Sequence, residues 1–283
     1  MGEIGLLLGS TLALSAPLML AALGGYTSER SGVINIALEG MMITSCCATA
    51  LIGLATGSAW LGVAGGLTSA VLLSMLHWLL TQNYRMNPII SGMGINAVAL
   101  GGTNYMSQRL ITVDTPDKIP VLPESLYYVL AVSLPVLVAI YAATTRGGLW
   151  LKAAGGDPRK ARLAGLRPDR IRLGGLFATG VFSGLSGVLI VTHASRYVDG
   201  MTDGRGYIAL AALILGGWKP VRAAVACLAF GFFSALQIQF QGTNLFGAQL
   251  PSEVWSSFPF VATVFALALL SGQSSAPPGL GKL

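Results

Sequence analysis

Residues 28–42 read SERSGVINIALEGMM, and within them Asn35 and Glu39 stand four positions apart among aliphatic neighbours. Read as one helix, that spacing puts an amide and a carboxyl on the same face. Asn96 lies in the middle of the expected span 86–108, within MNPIISGMGINAVALG, residues 86–101. Further along, Thr179, Ser183, Ser186 and His193 fall within about 80° of one another on a helix at 100° per residue. These groups can bond a polar solute or one another. They offer no nucleophile–base pair and no metal-ligand spacing. Cys46, Cys47 and Cys227 lie inside apolar runs, a setting for neither a disulfide framework nor a metal site. The phosphate-cradling pattern GxxxxGK[ST] is absent from the sequence, so any ATP binds elsewhere.

The elements carrying these residues belong in lipid. Of 283 residues, 53% are hydrophobic and 10% charged, and mean hydropathy is +0.69; soluble domains carry about 25% charged residues. Stretches of about 20 apolar residues cross a bilayer. The sequence predicts them at 4–25, 33–56, 58–81, 86–108, 124–145, 173–195, 221–240 and 254–271, with a short or broken ninth at 206–217. The first reads as a crossing, not a cleaved leader, since Glu3 and no basic run precedes it. The expected fold class is an all-α polytopic membrane protein of about nine transmembrane segments, one domain over 1–283.

Lys and Arg orient it. The hydrophilic stretch 146–172 holds eight basic residues against Asp157 and Asp169, and is placed in the cytoplasm. With nine crossings, 13 of the 17 Lys and Arg then lie inside, the N-terminus outside and the C-terminus inside. Gly180, Gly184 and Gly187 share a helix face and predict close helix packing. RSGVINIAL (30–38) and RGYIALAAL (205–213) each set an Arg and a Gly before an apolar half-helix, entering from opposite sides, as an inverted repeat would. His77, beside Trp78 at the inner end of its span, reads as an interfacial anchor, and Ser28-Glu29-Arg30 as the cytoplasmic boundary of the next span.

Within 146–172, Gly155-Gly156 precede Asp157-Pro158, an N-cap followed by a first-turn proline. A helix over roughly 158–164 is predicted, ending at Gly165. The run AAGGDPRKARLAGL (153–166) resembles the coupling-loop segment of inner-membrane permeases of ATP-binding-cassette (ABC) importers, in the branch handling branched-chain amino acids, simple sugars and nucleosides. SERSGVINIALEGMM, MNPIISGMGINAVALG and MTDGRGYIALAALILGGWKP (201–220) resemble further signatures of that family, and the length is similar to the smaller nucleoside-type permease subunit.

The resemblance implies a translocation pathway for nucleosides or related sugar-containing solutes, without catalysis in this chain. It implies a second permease subunit, a cytoplasmic ABC ATPase holding ATP and Mg, an extracytoplasmic binding protein, and location in the bacterial inner membrane. Gly155, Gly156, Asp157, Pro158, Arg159, Ala161 and Gly165 would then couple to the ATPase. Asn35, Glu39, Asn96, Thr179, Ser183, Ser186 and His193 are the candidate pathway groups. For Glu39 two readings stand: it lines the solute path, or it is bonded to a neighbouring helix terminus. A self-sufficient secondary transporter or channel is the other functional class, although ion coupling usually recruits several intramembrane acids and here Glu39 stands nearly alone.

Overall fold

The computed structural model describes residues 3–110, 118–240 and 276–282, with positions 244, 245, 248, 249, 257, 261 and 265 between. The expected span 254–271 lies outside the described residues, those three positions apart. The described chain is helical but for two paired two-residue strands, Asn244–Leu245 and Ala248–Gln249. The long helices are α1 (Glu3–Arg30), α2 (Leu38–Thr56), α3 (Ala59–Trp78), α4 (Pro88–Leu110) and α5 (Glu124–Thr144). Then come α6 (Arg146–Gly156), α7 (Pro158–Leu163), α8 (Pro168–Ala194), α9 (Arg205–Leu215) and α10 (Pro220–Phe240). A π-helical turn, Leu79–Asn83, extends α3.

Six described helices are long and apolar enough to cross a membrane: α1, α2, α3 with its π turn, α5, α8 and α10. Helix α4, at 23 residues, is long enough but carries too many polar groups to join them. Helix α9 has 11 residues, about 16 Å of rise against a hydrocarbon core of about 30 Å.

Helices α1, α2 and α8 form the inner layer, with α3 over α2 and α8, and α5 and α10 over α1. Lipid gives no hydrophobic force between helices, so close packing and interhelical hydrogen bonds must hold them. The glycines predicted to admit neighbours do so. A Cβ on Gly180 would lie 2.6 Å from Val71 Cα, one on Gly184 3.2 Å from Leu67 Cα, and one on Gly187 2.8 Å from Ser45 Cβ. Hydroxyls stitch the same seams: Ser45 donates to the Gly184 carbonyl at 2.8 Å and Ser74 to the Leu176 carbonyl at 2.6 Å. Each such bond contributes about 0.6 kcal/mol in a membrane.

Two expectations at the start of the chain change. Helix α1 runs on through Ser28-Glu29-Arg30, and Glu29 is 3% exposed rather than a solvated boundary charge. The cause is nonlocal: the Trp218 indole N–H donates to Glu29 Oε2 at 2.6 Å. The span predicted from residue 33 begins as helix only at Leu38, because Gly32 turns the chain at φ 101° and Val33–Ile36 are irregular. Asn35 therefore does not share a helix face with Glu39. The two sequence echoes also fold differently, since residues 33–36 are irregular where 205–213 are helical.

Candidate translocation site and coupling loop

A buried stretch outside helix must find partners for its backbone groups in protein. The Ile34 carbonyl accepts from His77 Nε2 at 3.0 Å. A carbonyl only accepts, so Nε2 carries the proton, and in the neutral ring Nδ1 accepts from the Ser91 hydroxyl at 2.9 Å. His77 is thus a buried brace rather than the interfacial anchor its place beside Trp78 predicted. The Ile36 carbonyl accepts from Asn96 Nδ2 at 2.9 Å, and the Ala37 amide donates to Asn35 Oδ1 at 3.0 Å. The Asn35 side chain is fully buried, and its Nδ2 has no partner among the described residues.

Asn96 does more than brace one carbonyl. Its Oδ1 accepts from the Gly40 amide at 2.8 Å, one of the amides left open at the start of α2. Its Nδ2 also donates to Tyr207 Oη at 2.9 Å. Asn96 on α4 therefore joins the first turn of α2 to α9.

Glu39, in the first turn of α2, completes the junction. Its Oε1 accepts from the Thr202 hydroxyl at 2.6 Å and the Gly204 amide at 2.9 Å, and its Oε2 from the Gly206 amide at 2.6 Å. The carboxylate caps α9, where open amides and the helix dipole favour negative charge. Gly204 sits at φ 75°, in the left-handed region. Where α2, α4 and the approach to α9 meet lies a cavity of about 510 Å³. Glu39, Asn96, Thr202, Asp203 and Tyr207 give it polar walls, and Met93 and Leu100 apolar ones. Glu39 is thus bonded to a helix terminus, one of the two readings open to it, and it also lines a cleft.

The α8 stripe divides. Thr179, Ser183 and Ser186 are fully buried. Thr179 donates to the Gly24 carbonyl at 2.8 Å and lies 3.0 Å from Thr27 Oγ1, while Ser186 donates to the Pro17 carbonyl at 2.7 Å. Their neighbours are the backbone of α1. His193 is exposed at the far end of α8, with Nδ1 3.2 Å from Glu124 Oε2. None of the four reaches the cleft that Glu39 and Asn96 share.

The 146–172 stretch holds more helix than expected. Helix α6 fills residues 146–156 and seats Gly155 against the backbone of Arg30 and Gly32. After it, Asp157 Oδ1 accepts from the amides of Arg159 at 3.0 Å and Lys160 at 3.1 Å, and Pro158 opens α7. Those two amides hold the Asp157 carboxyl below the usual aspartate range, Lys160 contributing most. Helix α7 ends into Gly165 at φ 79°, and the Leu166 amide closes on the Ala161 carbonyl at 3.0 Å. Ala161 is buried while Leu163 is 89% exposed, so α7 turns an apolar side chain outward.

Sequence reasoning missed Arg172 and what it holds. Its Nη2 donates to the Lys282 carbonyl and its Nη1 to Gln82 Oε1, both at 2.7 Å. The Gly279 amide donates to the Gly155 carbonyl at 2.8 Å and the Gly281 amide to the Gly32 carbonyl at 2.9 Å. The chain end thus ties α6 and α8 to the turn after α1. An Arg buried at a helix start has no local signature, since its partners lie 90 and 110 residues away.

The family described as "Branched-chain amino acid transport system / permease component" matches residues 7–267. The guanosine ABC transporter permease protein NupQ of Bacillus subtilis is 31% identical over 98% of this chain and 96% of its own length. The nucleoside ABC transporter permease protein NupC of Lactococcus lactis is 31% identical over 98% of this chain and 95% of its own. A second guanosine permease protein of Bacillus subtilis, NupP, is 26% identical over 94% of this chain and 83% of its own.

Proposed function

The chain belongs to the branched-chain amino acid transport system permease family, and from that premise, as a permease component of an ABC importer, we propose that it forms one wall of a pathway for nucleosides. The observation carrying this reading is the cleft where α2 and α9 begin. Its amide, hydroxyls, aromatic ring and thioether suit a neutral, amphipathic solute, and of its two carboxylates Glu39 is already engaged by Thr202, Gly204 and Gly206, leaving Asp203. Glu39 and Asn96 hold the two helix starts together and face the solute. Thr179, Ser183 and Ser186 act one layer back, fixing α8 to α1, and Asn35 acts from within the irregular turn.

The wider assembly follows the same reading. Single-organism pairs such as NupQ and NupP support a second permease subunit. A separate cytoplasmic ATPase, binding ATP and Mg, docks on α7 through Gly155 to Gly165, and an extracytoplasmic protein delivers solute. Nine crossings are reached by adding to the six apolar helices α4, residues 195–215 and the span expected from sequence at 254–271. In that count residues 195–204 descend from the outer face to Glu39, and α9 completes the passage inward. Two helix starts facing each other at Glu39 is the geometry that inverted halves give. The N-terminus lies outside and the C-terminus inside.

Uptake of labelled guanosine and uridine by the native cells, with and without this chain, tests the substrate. Loss of both, restored by the wild-type chain, is expected. Unchanged nucleoside uptake alongside loss of a sugar or an amino acid would overturn it.

A further inference from the structure

On the side of α1 opposite α8 lies a second cavity, of about 480 Å³, between the C-terminal end of α1, the end of α5, helix α6 and the start of α10. Arg30, Lys152, Lys219 and Arg222 line it, and no carboxylate does. None of the four forms an ion pair among the described residues. The nearby Glu29 is already engaged by the Trp218 indole. Four cations in one concavity repel one another unless an anion joins them.

The rest of the lining says which anion. Ala139, Ala142 and Ala143 on α5 and Val221 on α10 make the wall that rises toward the membrane. Above it α5 and α10 turn apolar side chains outward, among them Val136, Ile140 and Val225 at 50%, 53% and 60% exposure. The polar end of the cavity thus adjoins outward-turned apolar surface on two helices apolar enough to cross a membrane. A free phosphate would use the cations and leave that surface idle.

We propose that this cavity binds the headgroup of an anionic phospholipid, its phosphate among Arg30, Lys152, Lys219 and Arg222 and its acyl chains along α5 and α10. Basic pockets between membrane helices take lipid headgroups in this way. The leaflet rests on the orientation proposed above; the cavity and its charges do not. Such a lipid would pin α6 to α10 beside the coupling loop.

Native mass spectrometry of the full-length chain in detergent, titrated with phosphatidylglycerol or phosphatidylcholine, tests this. Phosphatidylglycerol should bind in preference, and Lys219→Gln with Arg222→Gln should weaken it roughly 30-fold, at about tenfold per 1.4 kcal/mol and about 1 kcal/mol per cation. Arg146→Gln with Arg167→Gln, which removes cations outside the cavity, should leave it unchanged. Equal binding of phosphatidylcholine, or wild-type binding by the first double variant, would overturn the site. So would millimolar inorganic phosphate displacing the lipid. In the wild-type chain, photoreactive phosphatidylglycerol should label residues 139–152 and 219–225; labelling only elsewhere, or labelling abolished by a co-purified partner permease, would reassign this face. No solute or ATP enters these measurements, so their failure leaves the transport reading standing.

Discussion

Glu39 and Gly206 meet backbone to backbone: Glu39 Oε2 lies 2.6 Å from the Gly206 amide nitrogen, and a Cβ on Gly206 would lie 2.6 Å from the amide nitrogen of Glu39. No side chain fits between the start of α2 and the start of α9. Gly206→Ala should therefore force the two helices apart, costing about 1–3 kcal/mol as overpacking does, and lower both melting temperature and uptake. Glu39→Gln should impair transport or assembly, because an NH₂ group replaces one acceptor facing the α9 amides. A charge-assisted bond contributes about 1.5–3 kcal/mol, so uptake should fall roughly tenfold or more. Full uptake with full expression would show the charge to be dispensable.

Asn96 accepts at Oδ1 and donates at Nδ2, and an ionised carboxylate of the same shape can only accept. Asn96→Asp should leave the Ile36 carbonyl without its donor, costing about 1–3 kcal/mol. Tyr207→Phe removes only one acceptor and should melt within about 1 kcal/mol of wild type. Thermal unfolding of the two purified variants checks the order. Equal melting would mean that Asn96 does not brace the irregular turn.

At the coupling loop, Asp157→Asn keeps a capping side chain and should keep ATP-driven uptake, whereas Asp157→Lys and Gly165→Pro should uncouple it without preventing insertion. The native pKa of Asp157 is depressed, so its capping contribution is present above the unfolded aspartate value near 4 and is lost only as pH falls through the lower native one. Coupling should thus be flat from pH 8 to 5 as far as this group decides it. ATPase activity and uptake, measured together in reconstituted complexes, separate coupling from folding. Wild-type coupling in Asp157→Lys would remove α7 from the docking role.

Trp218 holds Glu29 where the turn after α9 meets the end of α1. Trp218→Phe leaves the carboxyl buried without that donor, while Glu29→Gln keeps an acceptor for the indole. The tryptophan variant should be the less stable by about 1–3 kcal/mol, read as a lower melting temperature. The reverse order would show that the indole hydrogen bond does not hold this corner.

The long apolar runs were legible, and α5 and α10 start within a residue of where hydropathy predicts them. So was α7, whose cap, first-turn proline and terminal glycine are all local chemistry. What could not be read locally was settled at a distance. Glu29 looks like a boundary charge until Trp218, 189 positions later, is folded against it. Val33–Ile36 looks like a helix start because aliphatic residues suit helix and strand alike. The turn at Gly32 and the bonds from His77 and Asn96 decide against helix there. Likewise the α8 hydroxyls have the spacing of a pathway wall, but α1 occupies the space before them.

Chain order gives the irregular turn one more consequence. The ribosome makes Glu39 long before its donors, which follow 163 to 167 residues later. At common rates of synthesis, 5–20 residues per second, that delay is on the order of 10 to 30 seconds. Meanwhile the hairpin of α1 and α2 has neither the donors for its carboxylate nor, until α3 and α4 arrive, those for its bare carbonyls. It must wait at the water boundary or within the insertion machinery, and the cleft beside Glu39 takes shape only when α9 is delivered.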